Sequence, residues 1–184
     1  IATAAARIAQ AANGKLVMEA GSRRIHPESA VHAARAAYLG GIDATSNLAA
    51  GLRWGIPTIG TASHAFTLAY SSESEAFNAQ QEFIGSDSIF LVDTYDVVQG
   101  IQNAIEATDG KLKGIRLDSG DLESGAEIAR GLLDELGAKD AQIMVSGDLD
   151  EYRIQELHAA PIDAFESGHR LVTGSGAPSA GFVY

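Results

Sequence analysis

The sequence contains no cysteine. Disulfides, thiolate-bound metals and cysteine nucleophiles are therefore excluded, and the lack points towards a cytoplasmic setting. No apolar run reaches the roughly 18 residues that a bilayer-crossing helix needs, so no membrane partner is expected, and no signal-peptide pattern opens the chain. Proline is scarce, four residues against twenty glycines, which leaves glycine to make most of the tight turns. Positive charge is scarce too: 13 Lys and Arg stand against 24 Asp and Glu, for a formal net charge of −11. Binding a nucleic-acid backbone needs a basic face, so nucleic acid is excluded as a partner. A small anion is not excluded, because a few arginines inside a cleft outweigh an acidic exterior locally. There is no Gly-x-x-x-x-Gly-Lys-Ser/Thr loop and no Gly-x-Gly-x-x-Gly after a strand, so neither a P-loop nor a dinucleotide fingerprint is available.

What is present describes an ordinary globular protein. The 184 residues are 46% hydrophobic and 20% charged, enough for one domain, residues 1–184, with a sizeable core. The chain starts at Ile1 in an alanine-rich helical pattern and stops at Tyr184 just after a glycine-rich loop, which leads us to expect a fragment.

Short apolar runs alternate with longer helical patterns. The runs predict strands at Lys15–Met18, near Ile42, and at Pro57–Gly60, Ile89–Val92, Gly114–Leu117, Gln142–Val145 and Ile162–Phe165. Leu122, Ala126, Ala129, Leu133 and Leu136 keep one helical stripe, closed by Gly137. Val97, Val98, Ile101, Ala104 and Ile105 keep another, with Asp93 and Thr94 as capping candidates. Pro27 suits the first turn of a helix running to about Leu39, with His26 and His32 flanking it. Such alternation implies βα units and a parallel sheet.

The ends of these runs decide between an open sheet and a barrel. They carry Glu19–Arg24, Asp43–Asn47, Gly60–His64, Asp93-Thr94, Asp118–Asp121, Ser146–Asp148 and Ser167–His169. An open sheet uses mainly the strand ends where its order reverses. A (β/α) barrel gathers all of them around one mouth. Chemistry at nearly every end therefore predicts an α/β fold of the TIM-like barrel kind.

Several of these ends suit an anionic sugar ligand. Gly147 and Gly168, beside Ser146, Asp148 and His169, open late loops of the kind that accept a phosphate on backbone N–H groups. Arg116 and Asp118 leave one side of their strand, where they hold a sugar or close an internal ion pair. Arg23 and Arg24 offer forked donors to a carboxylate or phosphate. His64 has the strongest claim of the five histidines, as a general base or a phosphate-accepting nucleophile oriented by Asp93. It has no cysteine or histidine at zinc spacing, so no metal ligands are expected.

Taken in order, these segments resemble the nicotinate phosphoribosyltransferase family. The resemblance rests on Gly21-Ser-Arg-Arg24, Ala34–Gly41 with Asp43–Asn47, Gly60-Thr-Ala-Ser-His-Ala-Phe66, Leu91–Asp96, Arg116-Leu-Asp-Ser-Gly-Asp121, Val145–Tyr152 and Leu171-Val-Thr-Gly-Ser-Gly-Ala-Pro178. It implies an irregular β/α barrel of the type II phosphoribosyltransferases, incomplete here. It implies nicotinate and phosphoribosyl pyrophosphate as substrates, with Mg²⁺, with ATP coupled through a phosphohistidine at His64, and with a homodimer. By the same resemblance Asp93 supports His64, and Arg116 and Asp118 hold sugar and base. Ser146, Gly147, Asp148, Gly168 and His169 line the 5′-phosphate site. Arg23 faces the nicotinate carboxylate or a nearby phosphate, with Thr45, Ser46 and Asn47 close by.

Three features depart from the family pattern. Ala20 stands where an aromatic often stacks on the pyridine ring, Glu166-Ser167-Gly168-His169 replaces a loop usually close to Gly-Val-Gly-Thr, and family chains are about twice as long. A nicotinamide or quinolinate transferase, a barrel aldolase or isomerase acting on a sugar phosphate through a Schiff base, and a non-catalytic phosphate-binding barrel are the alternatives. The aldolase needs a lysine at a strand end, and none of the seven ends carries one.

Overall fold

A computed structural model describes residues 1–173. In chain order its helices and strands are α1 (Ala2–Ala12), β1 (Leu16–Glu19), α2 (Pro27–Leu39), β2 (Ala44–Thr45), α3 (Leu48–Trp54), α4 (His64–Leu68), α5 (Glu73–Ile84), β3 (Ile89–Leu91), α6 (Val97–Ala107), β4 (Gly114–Leu117), α7 (Leu122–Glu135), β5 (Gln142–Val145), α8 (Glu151–Glu156), β6 (Ala164–Ser167) and α9 (His169–Thr173). Most helices start on a side chain that satisfies a free N–H: Asn47 accepts from Ala50, Ser72 from Glu75, Asp96 from Gln99, Asp121 from Glu123 and Ser124, and Asp150 from Arg153.

Contacts within the chain group it into two units. The first comprises Ile1–Gly60, Ser146–Ala159 and the stretch from Asp163 to the end of the described chain. Its strands run parallel in the order β2-β1-β6, with Met18 opposite Ala44 and Leu16 opposite Ala164. Ala34, Ala50 and Ile56 form a small core closed by Val31 and Trp54. The His32 ring tilts against Trp54 at 5.5 Å, and Arg35 and Arg53 lie over the same ring at 5.3 and 4.9 Å.

The second unit comprises Thr61–Val145 with Ala160–Ile162. Its strands run parallel in the order β5-β4-β3, with Gly114 opposite both Ile89 and Gln142. The apolar stripes of α5, α6 and α7 are buried at Phe77, Ile101, Ala126 and Leu133. Phe77 tilts against Phe90 of β3 at 5.0 Å, and the Gln80 side chain donates to the Ile89 carbonyl at 3.0 Å. Because neighbours within each unit are parallel, the strands of a unit all end on one edge, and the following loops collect there.

β4 and β5 occupy the residues that the apolar runs predict. β1 and β6 end later than expected, at Glu19 and Ser167, because their register with each other carries the ladder through Glu19 opposite Ser167. Ile162 is not in a strand; its N–H returns to the Ala160 carbonyl at 2.7 Å in a turn. Pro57–Gly60 contributes one bridge, Thr58 to Thr45, since Pro57 has no N–H to extend a ladder. The expected caps of α6 are corrected. Asp96 caps it, while Asp93 turns its carboxylate to the end of β4. His32 lies inside α2 rather than at its flank, and His26 is the N-cap.

Candidate functional site

In the second unit three loops and the end of β4 bring polar groups together. Asp93 follows β3 with its side chain only 4% exposed. Its Oδ2 accepts the Asp118 backbone N–H at 2.8 Å and the Ser119 hydroxyl at 2.7 Å. Arg116 lies buried on β4, donates from Nη1 to the Thr61 hydroxyl, and holds Nη2 at 3.5 Å from Asp118 Oδ1. Arg116 and Asp118 thus leave one side of the chain, as strand alternation requires.

His64 is the first residue of α4. Its Nε2 lies 3.5 Å from Asp118 Oδ2 and 3.9 Å from Asp93 Oδ1. Its Nδ1 lies 3.1 Å from the Thr94 hydroxyl, and the direction of that hydrogen bond follows the ring's tautomer. Asp93 Oδ1 has no hydrogen bond of its own. The imidazole is therefore oriented through one nitrogen and faces two carboxylates with the other, while 23% of its side chain stays open to solvent. A guanidinium close by attracts an anion to the same place.

The first unit gathers a second group. Gly21 leads into a single 3₁₀ turn, Ser22–Arg24, which presents Arg23 exposed and Arg24 half-buried. Behind the turn Glu19 is 1% exposed. Its Oε1 accepts the Gly21 N–H at 2.5 Å and its Oε2 accepts the Thr45 hydroxyl at 2.5 Å. Thr45 Oγ1 accepts the Asn47 N–H at 3.0 Å, and the Asn47 amide donates to the Ser22 hydroxyl at 2.9 Å. Ser46 donates its N–H to the Glu19 carbonyl at 2.8 Å. Burial pushes the Glu19 carboxyl above its ordinary range, against the opposing pull of the Thr45 and Gly21 hydrogen bonds.

The late loops lie in the same unit. Ser146 is buried, whereas Gly147 and Asp148 are exposed with φ of 109° and 52°. The left-handed conformation is free for glycine and uncommon for aspartate. The Ser167 hydroxyl donates to the Leu149 carbonyl at 2.7 Å, joining the two loops. Gly168 passes so close to the chain at Ala20 that a Cβ would stand 2.9 Å from the Ala20 carbonyl oxygen. His169 opens α9 with a side chain 9% exposed and Nδ1 3.7 Å from Asp148 Oδ1. Glu166 and Ser167 leave β6 on opposite faces, so the carboxylate does not share the side of the Ser167 hydroxyl.

The structure therefore brings together His64, Asp93, Arg116 and Asp118 in one unit. In the other it brings Thr45, Ser46 and Asn47 to the Ser22–Arg24 turn, and Asp148 to His169. Glu19, Thr61, Thr94 and Ser119 lie within the strand ends named from the sequence, but the sequence reasoning gave none of them a role in the site. Thr94 and Ser119 adjoin residues already singled out, and a hydroxyl next to a strand-end aspartate was the available signal. The run Gly174–Pro178 lies outside the described residues.

Residues 1–175 match the family model described as quinolinate phosphoribosyl transferase, C-terminal domain. The chain is 50% identical to the nicotinate phosphoribosyltransferase pncB1 of Mycobacterium tuberculosis, covering 100% of this chain and 43% of the relative. It is 44% identical to the nicotinate phosphoribosyltransferase of Bacillus subtilis, covering 100% of this chain and 39% of that protein. The chain thus spans less than half the length of these relatives. Among solved structures it is similar to a nicotinate-nucleotide pyrophosphorylase from Pyrococcus furiosus, with a TM-score of 0.87, 35% identity and coverage of 94% of this chain and 46% of the other. Similarity to human nicotinic acid phosphoribosyltransferase, TM-score 0.79 at 24% identity over 91% of this chain and 46% of that one, bears on the fold alone.

Proposed function

The chain belongs to the quinolinate phosphoribosyl transferase C-terminal domain family, among its nicotinate phosphoribosyltransferase members, and from that premise we propose that the full-length protein makes nicotinate mononucleotide with help from ATP. Its fold is the β/α barrel of type II phosphoribosyltransferases, present here in part.

In this reading the pyridine nitrogen of nicotinate attacks C1′ of phosphoribosyl pyrophosphate. The C1′–oxygen bond breaks and its electron pair leaves with pyrophosphate. Positive charge builds on the sugar in the transition state, so Asp118 stabilises it while Arg116 holds the sugar or its anionic leaving group. Arg23 pairs with the nicotinate carboxylate, supported by Thr45, Ser46 and Asn47. Ser146, Gly147, Asp148, Gly168 and His169 hold the 5′-phosphate.

The observation that supports this reading best is the meeting of His64, Asp93, Arg116 and Asp118. An imidazole flanked by two carboxylates is a strong nucleophile towards phosphorus, because the carboxylates stabilise the cationic ring that forms. His64 takes the γ-phosphoryl group of ATP and ADP departs. Water then attacks the phosphohistidine, releasing inorganic phosphate and restoring the ring. Bound Mg²⁺ would neutralise charge on the polyphosphate groups of the substrates. Among the described residues no three His, Cys, Asp or Glu side chains could hold a metal, so the donor set suits an ion that keeps its waters and takes one or two carboxylates, Asp118 foremost. The protein works in the cytoplasm as a homodimer.

A base panel tests the substrate. Pyrophosphate release from phosphoribosyl pyrophosphate should depend on nicotinate and be far weaker with nicotinamide or quinolinate. Turnover with quinolinate alone, or with no base in folded protein, would remove the assignment.

A further inference from the structure

Glu19 stands out as a buried carboxylate with no role in the reaction as described. A carboxylate removed from water costs free energy unless donors replace the lost hydration. Here both oxygens are served, and each donor belongs to a different loop: Gly21 N–H at 2.5 Å and the Thr45 hydroxyl at 2.5 Å. Thr45 passes the connection to Asn47 N–H, and Asn47 returns it to Ser22 on the arginine turn. Asn47 also caps α3 through Ala50 N–H at 2.9 Å. The result is a ring of four hydrogen bonds closed by the backbone between Gly21 and Ser22, Glu19–Gly21–Ser22–Asn47–Thr45–Glu19, with the carboxylate as its one charged member. Gly21 is held from the other side too, since a Cβ there would overlap the Val172 side chain of α9.

We propose that Glu19 is a positioning residue whose carboxylate fixes the Ser22–Arg24 turn against the Thr45–Asn47 loop and so sets the affinity for the substrate's own carboxylate. This rests on the reading of Arg23 as the partner of nicotinate. None of the three residues of the turn is buried, and the hydrogen bonds at its base tie its backbone to the Thr45–Asn47 loop. A guanidinium recognises a carboxylate by a two-point fork, and tilting that fork by a few tenths of an ångström weakens both bonds. Protonating Glu19 removes the charge from the ring, so the turn loosens in acid. Burial raises the pH at which this happens above the ordinary carboxylate range. The other charged or titratable groups on the elements packed around Glu19 and its turn are Arg23 and Arg24 on the turn, Asp43 before β2, Glu166 on β6, His169 and Arg170 on α9, Arg7 on α1, and Glu28, His32, Arg35 and Tyr38 on α2. Asp43 is engaged separately, accepting Val17 N–H at 2.8 Å.

The test uses the full-length protein and four forms: wild type, Glu19→Gln, Thr45→Val and Thr45→Ser. The expected result is a nicotinate KM raised about tenfold in Glu19→Gln and Thr45→Val with kcat held within about threefold, the pattern of lost uniform binding. Thr45→Ser, which keeps the hydroxyl, should return KM to near the wild-type value. The wild-type KM should climb as pH falls through the Glu19 titration, and the Glu19→Gln profile should be flat there. Hydrogen exchange gives a readout that needs no turnover: segments 19–24 and 44–48 should exchange faster in Glu19→Gln. Folded Glu19→Gln with wild-type KM, pH profile and exchange overturns the proposal. If that variant does not fold, equal KM values for Thr45→Val and Thr45→Ser overturn it instead. Absence of nicotinate turnover in the wild type refutes the proposed function, and the exchange comparison then still decides whether Glu19 holds the turn.

Discussion

The carboxylate of Asp93 accepts the backbone N–H of Asp118 at 2.8 Å, so the end of β3 fixes the position of the side chain that follows β4. Asp118 in turn approaches His64 more closely than Asp93 does, 3.5 Å against 3.9 Å. Asp93 thus acts on the imidazole directly and also through the placing of Asp118. Asp93→Asn keeps the shape, retains an oxygen that can accept the N–H, and removes the charge. Asp93→Ala leaves the part-buried Asp118 N–H without its acceptor, which costs about 1 kcal/mol. The alanine variant should therefore lose both stability and turnover, whereas asparagine should lose mainly ATP stimulation. Thermal unfolding run beside a coupled pyrophosphate assay separates the two.

Thr94 orients His64 through Nδ1 without contributing charge. Thr94→Val is nearly isosteric and should reduce ATP stimulation by roughly 10–100-fold, the range seen when a positioning contact is lost. Basal nicotinate turnover without ATP should change far less. Thr94→Ser should retain the stimulation.

Arg116 meets Thr61 and Asp118 at once. Replacement by lysine keeps one charge but cannot reproduce the fork. Arg116→Lys should lower kcat/KM for phosphoribosyl pyrophosphate by about 10²–10³, in line with the loss of a transition-state donor. Unchanged kinetics would mean that the pair only closes the strand ends.

Glu73 gives a pH-dependent prediction with a definite sign. It is buried in the first turn of α5, where desolvation raises its pKa, the Asn103 hydrogen bond opposes this, and Asp96 and Asp93 raise it further. An acid with a raised folded pKa adds stability that is complete below its unfolded pKa and is lost as pH rises through the folded value. The difference in Tm between Glu73→Gln and wild type should therefore move in favour of the variant from mild acid to neutral pH. Calorimetry at the two conditions reads it directly. A difference moving the other way would contradict the burial of an ionised Glu73.

Much of this architecture is legible in the sequence because its determinants are local. Gly114–Leu117 and Gln142–Val145 are short apolar runs with polar or glycine flanks, and both form strands with those bounds. Pro27 and the periodic leucines of α7 carry their helices in the same way. Register is not local. β1 extends to Glu19 because β6 lies beside it with Ser167 in reach, and nothing in either segment alone announces that pairing. The α6 cap shows the limit within a few residues. Asp93, Thr94 and Asp96 are all good capping types, and the demand of Asp118 and Ser119 for an acceptor engages Asp93 elsewhere. The site reads similarly. His64, Asp93, Arg116 and Asp118 are visible as strand-end chemistry, whereas the contacts of Glu19 with Thr45 and of Arg116 with Thr61 join residues far apart in sequence.

The most direct measurement is pyrophosphate release by the full-length protein with nicotinate, with and without Mg-ATP, in wild type and His64→Ala. Wild type should release pyrophosphate only with nicotinate, faster with ATP, and should carry acid-labile phosphate after incubation with γ-labelled ATP. His64→Ala should keep the slow basal reaction and lose both the stimulation and the label. ATP stimulation that survives intact in His64→Ala would contradict the account.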